Sequence, residues 1–467
     1  MKTSIALGTS ALLASALVVG QMHATADSGG SGGGDNSLLP GPDVIVGAIP
    51  NVSKYGSVVS GGVTIMAYAF GTTSCNIGTQ QLQWFASPDN RHPFIPMNAY
   101  RYKGGRFEQI GMSWGKHGFT ALQQSLCGSC QASSTGNYLG IGCSDPYSSS
   151  LNGSQSGLGC RSEVNASTGV FPGTINQGMP SAAATIGRRV QIKATDLDPA
   201  QNAGARYVSE GQYITQDDAA ANNDNNNASW REFTVGSLTS GAYTLTLTGS
   251  TTQQKAAIEA WKTFEPAVTI TYVDVPGDGR FIVGHVVRPN QNGTWRYEYA
   301  IQNLNSHRSG RLLSIPFPAG VQVTNVGFKD INYHSGDPYL GTDWVSGLGS
   351  GGGVVWEGGS FAANPNSNAL RYATLYNFWF DADQPPQATT ATLGLFRPVS
   401  GSPDSVSFAT QGPAAPQNPA DLNDDGVVNG EDLVILLASW GNNPGGDVNG
   451  DGVTNGIDIG LVLGSWG

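Results

Sequence analysis

Trp295-Arg296-Tyr297-Glu298-Tyr299-Ala300-Ile301 and Tyr372-Ala373-Thr374-Leu375-Tyr376-Asn377-Phe378-Trp379-Phe380 are the two stretches that decide the fold. Trp295, Tyr297, Tyr299 and Ile301 stand at every second position of the first, and Tyr372, Thr374, Tyr376, Phe378 and Phe380 do so in the second. A strand sends successive side chains to opposite faces, so a period of two gives each run one face to bury. The second run extends over 370–380, and others lie at 281–287, 312–317, 321–328, 354–356 and 389–396, punctuated by turn residues. Several short strands at such spacing predict a β-sandwich over 276–398. Trp295, Trp344, Trp356 and Trp379 would fill its core or form an outer platform for sugar rings.

Upstream, the turn cluster Val275-Pro276-Gly277-Asp278-Gly279 separates this sandwich from a first domain, 43–275. Its best strands are 188–194, 231–235, 243–248 and 268–273, and Ala256, Ala257, Ala260 and Trp261 give 252–264 a helical rhythm. Residues 123–184 are rich in Gly, Ser and Asn and read as long loops. Cys75, Cys127, Cys130, Cys143 and Cys160 all fall in this domain, and two disulfides are expected among them. The alternative use of Cys127-Gly128-Ser129-Cys130 is a metal or redox site with His117 or Cys143.

Composition fits export. Only 12% of residues are charged and 65 are Gly, as in secreted all-β chains rather than cytosolic helical ones. Lys2, an apolar run over 5–20 and Ala24-Thr25-Ala26 have the form of a signal peptide, 1–26. That run is shorter than the ~20 residues that span a membrane, and no later segment is long enough. A Gly- and Ser-rich leader follows over 27–42, and Pro403, Pro413, Pro416 and Pro419 mark 399–419 as a linker. The net charge of −11 and the lack of any basic cluster argue against nucleic-acid binding.

The last segment, 420–467, repeats itself with an offset of 26 residues. Asp421, Asn423, Asp425, Gly426, Asn429 and Asp432 recur as Asp447, Asn449, Asp451, Gly452, Asn455 and Asp458. Each set is a twelve-residue loop with the ligand spacing of an EF-hand. Side-chain oxygens at positions one, three and five, the carbonyls of Val427 and Val453 at position seven, and Asp432 and Asp458 at position twelve can converge on one Ca²⁺ per loop, two ions in all. Asn429 and Asn455, at position nine, would act through water. Leu433, Leu436, Leu437 and Trp440 after the first loop, and Ile459, Val462, Leu463 and Trp466 after the second, predict a short apolar helix each. Gly460 and Gly464 would let the two helices approach closely.

A duplicated loop-plus-helix with no entering helix resembles the type I dockerin domain of secreted bacterial proteins. The resemblance implies a calcium-folded module that docks onto a cohesin-type or cell-surface partner, often within a polysaccharide-degrading assembly. Positions ten and eleven, where dockerins usually carry partner-recognition residues, are Gly430-Glu431 and Gly456-Ile457 here. The fold expected is therefore mainly β: a β-rich first domain with Cys-rich loops, a β-sandwich, and a small α-helical dockerin-like calcium module.

The body carries no G-x-S-x-G, H-E-x-x-H, P-loop or dinucleotide motif. Glu108, Asp145 and Glu163 are candidate acids and bases for a secreted hydrolase, with His92 or His117 assisting. Asp217, Asp218 and Asp224 lie in an oxygen-rich loop that reads either as solvated or as a further Ca²⁺ site. Three functions are compatible with this sequence. The first is a binding or structural body attached through the calcium module. The second is a carbohydrate-active hydrolase delivered by that module, and the third is a disulfide-rich metalloprotein with a His/Cys site.

Overall fold

Strand Trp295–Asn303 lies at the centre of a five-stranded antiparallel sheet, between Arg280–Pro289 and Thr374–Ala382, with Thr269–Asp274 and Val323–Lys329 at the edges. The computed structural model describes residues 40–175, 183–334, 336–349 and 351–467, so the expected signal peptide and all but the end of the expected leader lie outside the described residues. A second antiparallel sheet, in the order Val345–Leu348, Val354–Glu357, Gly310–Ile315, Pro386–Leu395 and Ser405–Pro413, completes the sandwich.

The alternation read from the sequence sets the faces. Tyr297, Tyr299 and Ile301 pack with Tyr376, Phe378 and Phe380 against Leu313, Trp356 and Leu393 of the second sheet. Trp344 and Trp356 belong to this core, the one parallel to Phe328 and the other edge-on to Phe378. Ala300 and Leu375, on the opposite face, are buried as well, against Tyr100, Phe107 and Val208 of the first domain. The central sheet is therefore covered on both sides.

The first domain is built on an eight-stranded antiparallel sheet. Its order is Ala242–Leu247, Ala228–Thr239, Arg206–Gln212, Met97–Lys103, Arg106–Met112, Val190–Lys193, Val63–Phe70 and Val52–Ser60. The sheet curls until its two edges meet: Lys54 Nζ donates to Thr239 and Ala242, and the Tyr68 hydroxyl donates to the Tyr243 carbonyl. These side chains bridge the two edges and partly cover them, with no backbone ladder between them. Small sheets, including Val44–Ala48, Thr72–Asn76 and Ser144–Tyr147, carry the Cys-rich loops. Disulfides join Cys75 to Cys127 and Cys130 to Cys143, and Cys160 is buried and outside both.

Three expected boundaries move. Thr269–Asp274 pairs with Arg280–Pro289, so the strand placed in the first domain belongs to the sandwich and the division at 275 falls inside a hairpin. Ser405–Pro413 pairs along its whole length with Pro386–Leu395, which leaves 414–419 as the linker. Prolines masked that strand; Pro413 has no N–H to donate, and on a sheet edge with no further strand beside it that lack is tolerated. The helix expected over 252–264 is only Glu259–Phe264, because Gln254 takes a left-handed φ of 57° and breaks its first turn.

Candidate metal centre and the polar cleft of the body

Each calcium-type loop ends in a short helix, Gly430–Ala438 or Gly456–Gly464, and both helices start in the same way. The Asn429 side chain accepts from the Glu431 N–H at 2.7 Å while Asp432 Oδ2 accepts from the Asn429 N–H at 2.7 Å. Asn455 and Asp458 repeat the arrangement at 2.8 and 2.8 Å. Such reciprocal caps satisfy backbone donors that a helix start leaves open. Asp432 Oδ1 also accepts from the N–H groups of Leu422 and Asn423, and Asp458 Oδ1 from those of Val448 and Asn449. The Asn429 N–H, then those of Leu422 and Asn423, hold the Asp432 carboxyl below the usual carboxylate range; Asn455 leads the same set for Asp458.

The loops themselves share a set of equivalent bonds. Asp421 Oδ2 accepts from the Gly426 N–H and Asp425 Oδ1 from the Val427 N–H; Asp447 and Asp451 do the same with Gly452 and Val453. Gly426 and Gly452 have φ of 89° and 90°, which a side chain would strain, as position six of the motif requires. The repeats also exchange contacts. Gly441 pairs with Thr454 of the second loop, and the N–H of Gly467, 26 residues further on, donates to Val428 of the first.

The helices bury less than their pattern suggests. Leu436 and Val462 are fully buried with Ala420 and Val428, flanked by Leu433 and Ile459, but Leu437, Trp440, Leu463 and Trp466 face solvent. Gly460 and Gly464 meet open space, so they do not bring the helices together as expected.

Does this donor set suit Ca²⁺? Among the described residues no group of three or more His, Cys, Asp or Glu forms a metal cluster. The loops present a mixed set instead: carboxylates alternating with Asn oxygens and a main-chain carbonyl, the oxygen ligands a hard cation takes. Asp432 Oδ1 and Asp458 Oδ1 each accept two N–H groups, whereas Asp421 Oδ2, Asp425 Oδ1, Asp447 Oδ2 and Asp451 Oδ1 each accept one of the bonds above and keep a lone pair for an ion. In donor chemistry the residues present fit calcium, which would be held by Asp421, Asn423, Asp425, Val427 and Asp432 in one loop and by Asp447, Asn449, Asp451, Val453 and Asp458 in the other.

In the body, His92 and His117 are brought together, with Nε2 of one 2.9 Å from Nδ1 of the other. Both are buried among Phe94 and Phe171, and burial pushes His117 down to about 3, so the pair is neutral at ordinary pH. Burial likewise raises Asp145 to about 6; it accepts from the Trp84 indole and the Leu122 N–H. Glu163 lies in the short 3-10 turn Arg161–Glu163. Burial would raise Glu108, but Lys329 and Arg101 outweigh it and hold the carboxyl below its usual range. Cys127 and Cys130 are bonded to different partners, so the C-x-x-C metal site offered as an alternative is not formed. Asp218 and Asp224 are buried and hydrogen-bonded to Asn227 and Asn305, so the loop read as solvated is part of the packed body.

Lys329 leads to a feature the sequence did not reveal. A cleft of about 80 Å³ opens where the first domain meets the sandwich, lined by Gln109, Lys193, Asp196, Lys329, Asp330 and Asn332 among others. Burial raises Asp330 to about 6, although Asn368 donates to it. Asp330 sits just past the strand Val323–Lys329 and Asp196 in the short helix Ala194–Leu197, places where Asp reads as an ordinary turn or helix-start residue. A second cavity, lined by Arg161, Asp337, Arg371 and Tyr372, holds about 10 Å³, room for a water and no more.

No family model matches the chain, and no curated protein matches it.

Proposed function

We propose that this is an exported modular protein in which 420–467 binds two calcium ions and docks onto a cohesin-type or cell-surface partner, placing a β-rich binding or structural body. One observation carries the reading: the two loops repeat the same hydrogen bonds while the helices behind them turn Leu437, Trp440, Leu463 and Trp466 to solvent. Exposed large apolar side chains grouped on one small element mark a surface made to be covered. Two disulfides in the described residues, and no helix among them long and apolar enough to cross a membrane, agree with an oxidising compartment outside the cytosol.

Capture of surface proteins of the source cell by the full chain, in calcium and again in chelator, tests this. A partner retained only in calcium is the expected result; retention unchanged by chelator sinks the proposal.

The cleft beside Asp330 supports a second reading, a hydrolase acting on polysaccharide. A carboxyl that titrates near 6 suits a general acid, and clefts between domains are the usual place for substrate. Reducing-end release from a polysaccharide panel, abolished in Asp330→Asn, would favour it; silence across the panel leaves the binding body.

A further inference from the structure

The two loops match in every hydrogen bond named above but differ in charge. Position four is Asp424 in the first and Gly450 in the second; position eleven is Glu431 in the first and Ile457 in the second. The first loop therefore carries five carboxylates and the second three, with no Lys, Arg or His from 414 onward to offset them. Both extra groups belong to the loop. Glu431 Oε2 accepts from Asn423 Nδ2 at 3.2 Å, beside the position-three ligand. Asp424 holds a φ of 57°, where Gly450 has 73°, so a side chain is kept at a backbone geometry that favours glycine. Both side chains are exposed, so they act on the ion through the field rather than as core groups.

Resting on the calcium reading of 420–467, we propose that the loops are unequal: the first is the tight structural site, and the second is a weaker site whose filling sets when the module is complete. Ligand and near-ligand charge is what tunes calcium affinity in loops of this type, and two added charges a few ångströms from a dication act in the same direction. Ile457, Leu461, Leu463 and Trp466 all lie exposed behind the weaker loop. The apolar face of the second helix is then presented only at calcium levels that fill the second loop. Docking follows the higher of two calcium thresholds.

Calcium titration of the full chain by calorimetry, with hydrogen exchange read separately for Gly430–Ala438 and Gly456–Gly464, tests this. Two binding steps separated by about tenfold or more are expected at low salt, the first helix gaining protection before the second. Asp458→Ala should remove the weak step and Asp432→Ala the tight one. Asp424→Gly with Glu431→Ile leaves every ligand in place and should bring the two steps within about threefold, and added salt should narrow the native gap because the extra charges are exposed. Equal affinities at low salt, both helices protected together, or no change in the double variant would overturn the inequality. No calcium bound at all would overturn the calcium reading instead.

Discussion

Glu210 in the body and Asp432 in the module are both fully buried carboxylates, and their surroundings could hardly differ more. Glu210 accepts from Asn98, Tyr100, Gln302 and the Ala257 N–H, partners drawn from both β domains. Asp432 accepts only from N–H groups of its own loop, and no basic side chain exists in the module. The body closes its polar groups with protein around a large apolar core; the module has a fully buried apolar set of only Ala420, Val428, Leu436 and Val462. Such a core cannot by itself offset the ordering of the chain. On the calcium reading proposed for the module, binding energy of the ion would be folding energy. A strong chelator should therefore abolish hydrogen-exchange protection throughout 420–467 while leaving the body's strands protected. Protection that survives chelation in the module would erase the distinction between the two regions.

The body's self-sufficiency can be attacked at Arg161. This fully buried guanidinium donates to the carbonyls of Ser113, Met97 and Ala373 and to Asn98, so it ties the Cys-rich loops to both β domains. Arg161→Ala would strand several buried acceptors at once, each costing about 1–3 kcal/mol. A loss of about 3 kcal/mol or more in body stability is expected by denaturant melt, with calcium release from the module unchanged. Equal loss in both regions would mean they fold as one unit.

How much of this difference was legible beforehand follows from the range of the interactions involved. Calcium-loop spacing is local, since all donors lie within twelve residues, and the strand alternation of 295–301 and 370–380 is equally local. The sandwich was accordingly expected, and the cysteine count gave the two disulfides of the first domain. The edge strand Ser405–Pro413 was not, because prolines outweighed its alternating Val406, Phe408 and Thr410. Nor was the cleft, whose lining runs from Ile65 to Tyr333 along the chain and comes together only after the sheets pack. The exposure of Leu437 and Trp440 also escaped the helical pattern, because periodicity shows which residues share a face but not whether anything covers it.

A pH series separates the regions further. Asp330 titrates near 6 in the folded body against an ordinary value of 3.8. A raised carboxyl binds its proton more tightly when folded, so its contribution is full below about 4 and is lost as pH rises through 6. Asp330→Asn cannot ionise; relative to the unaltered chain it should gain about 1–3 kcal/mol between pH 4 and pH 7. The proposed calcium sites would run the other way, because their carboxylates must be deprotonated to hold the ion, and acid should release it. Parallel melts of body and module across this range would show opposed trends at these groups. A variant whose advantage stays flat with pH would place Asp330 in a solvated setting.

The smallest effect is expected at the module's surface. Trp440 and Trp466 stand 54% and 48% exposed at equivalent places behind the two helices, so little burial is lost when either is truncated. Surface replacements of this kind shift stability by no more than about 0.5 kcal/mol. Trp440→Ser and Trp466→Ser should therefore leave the calcium-loaded melting of 420–467 nearly unchanged, while the pair together weakens capture of the docking partner at least about tenfold, as loss of aromatic anchors does at interfaces. If either single replacement costs more than about 1 kcal/mol in the loaded protein, the tryptophans belong to the core. The module would then bury its own apolar face as the body does, leaving nothing for a partner to cover.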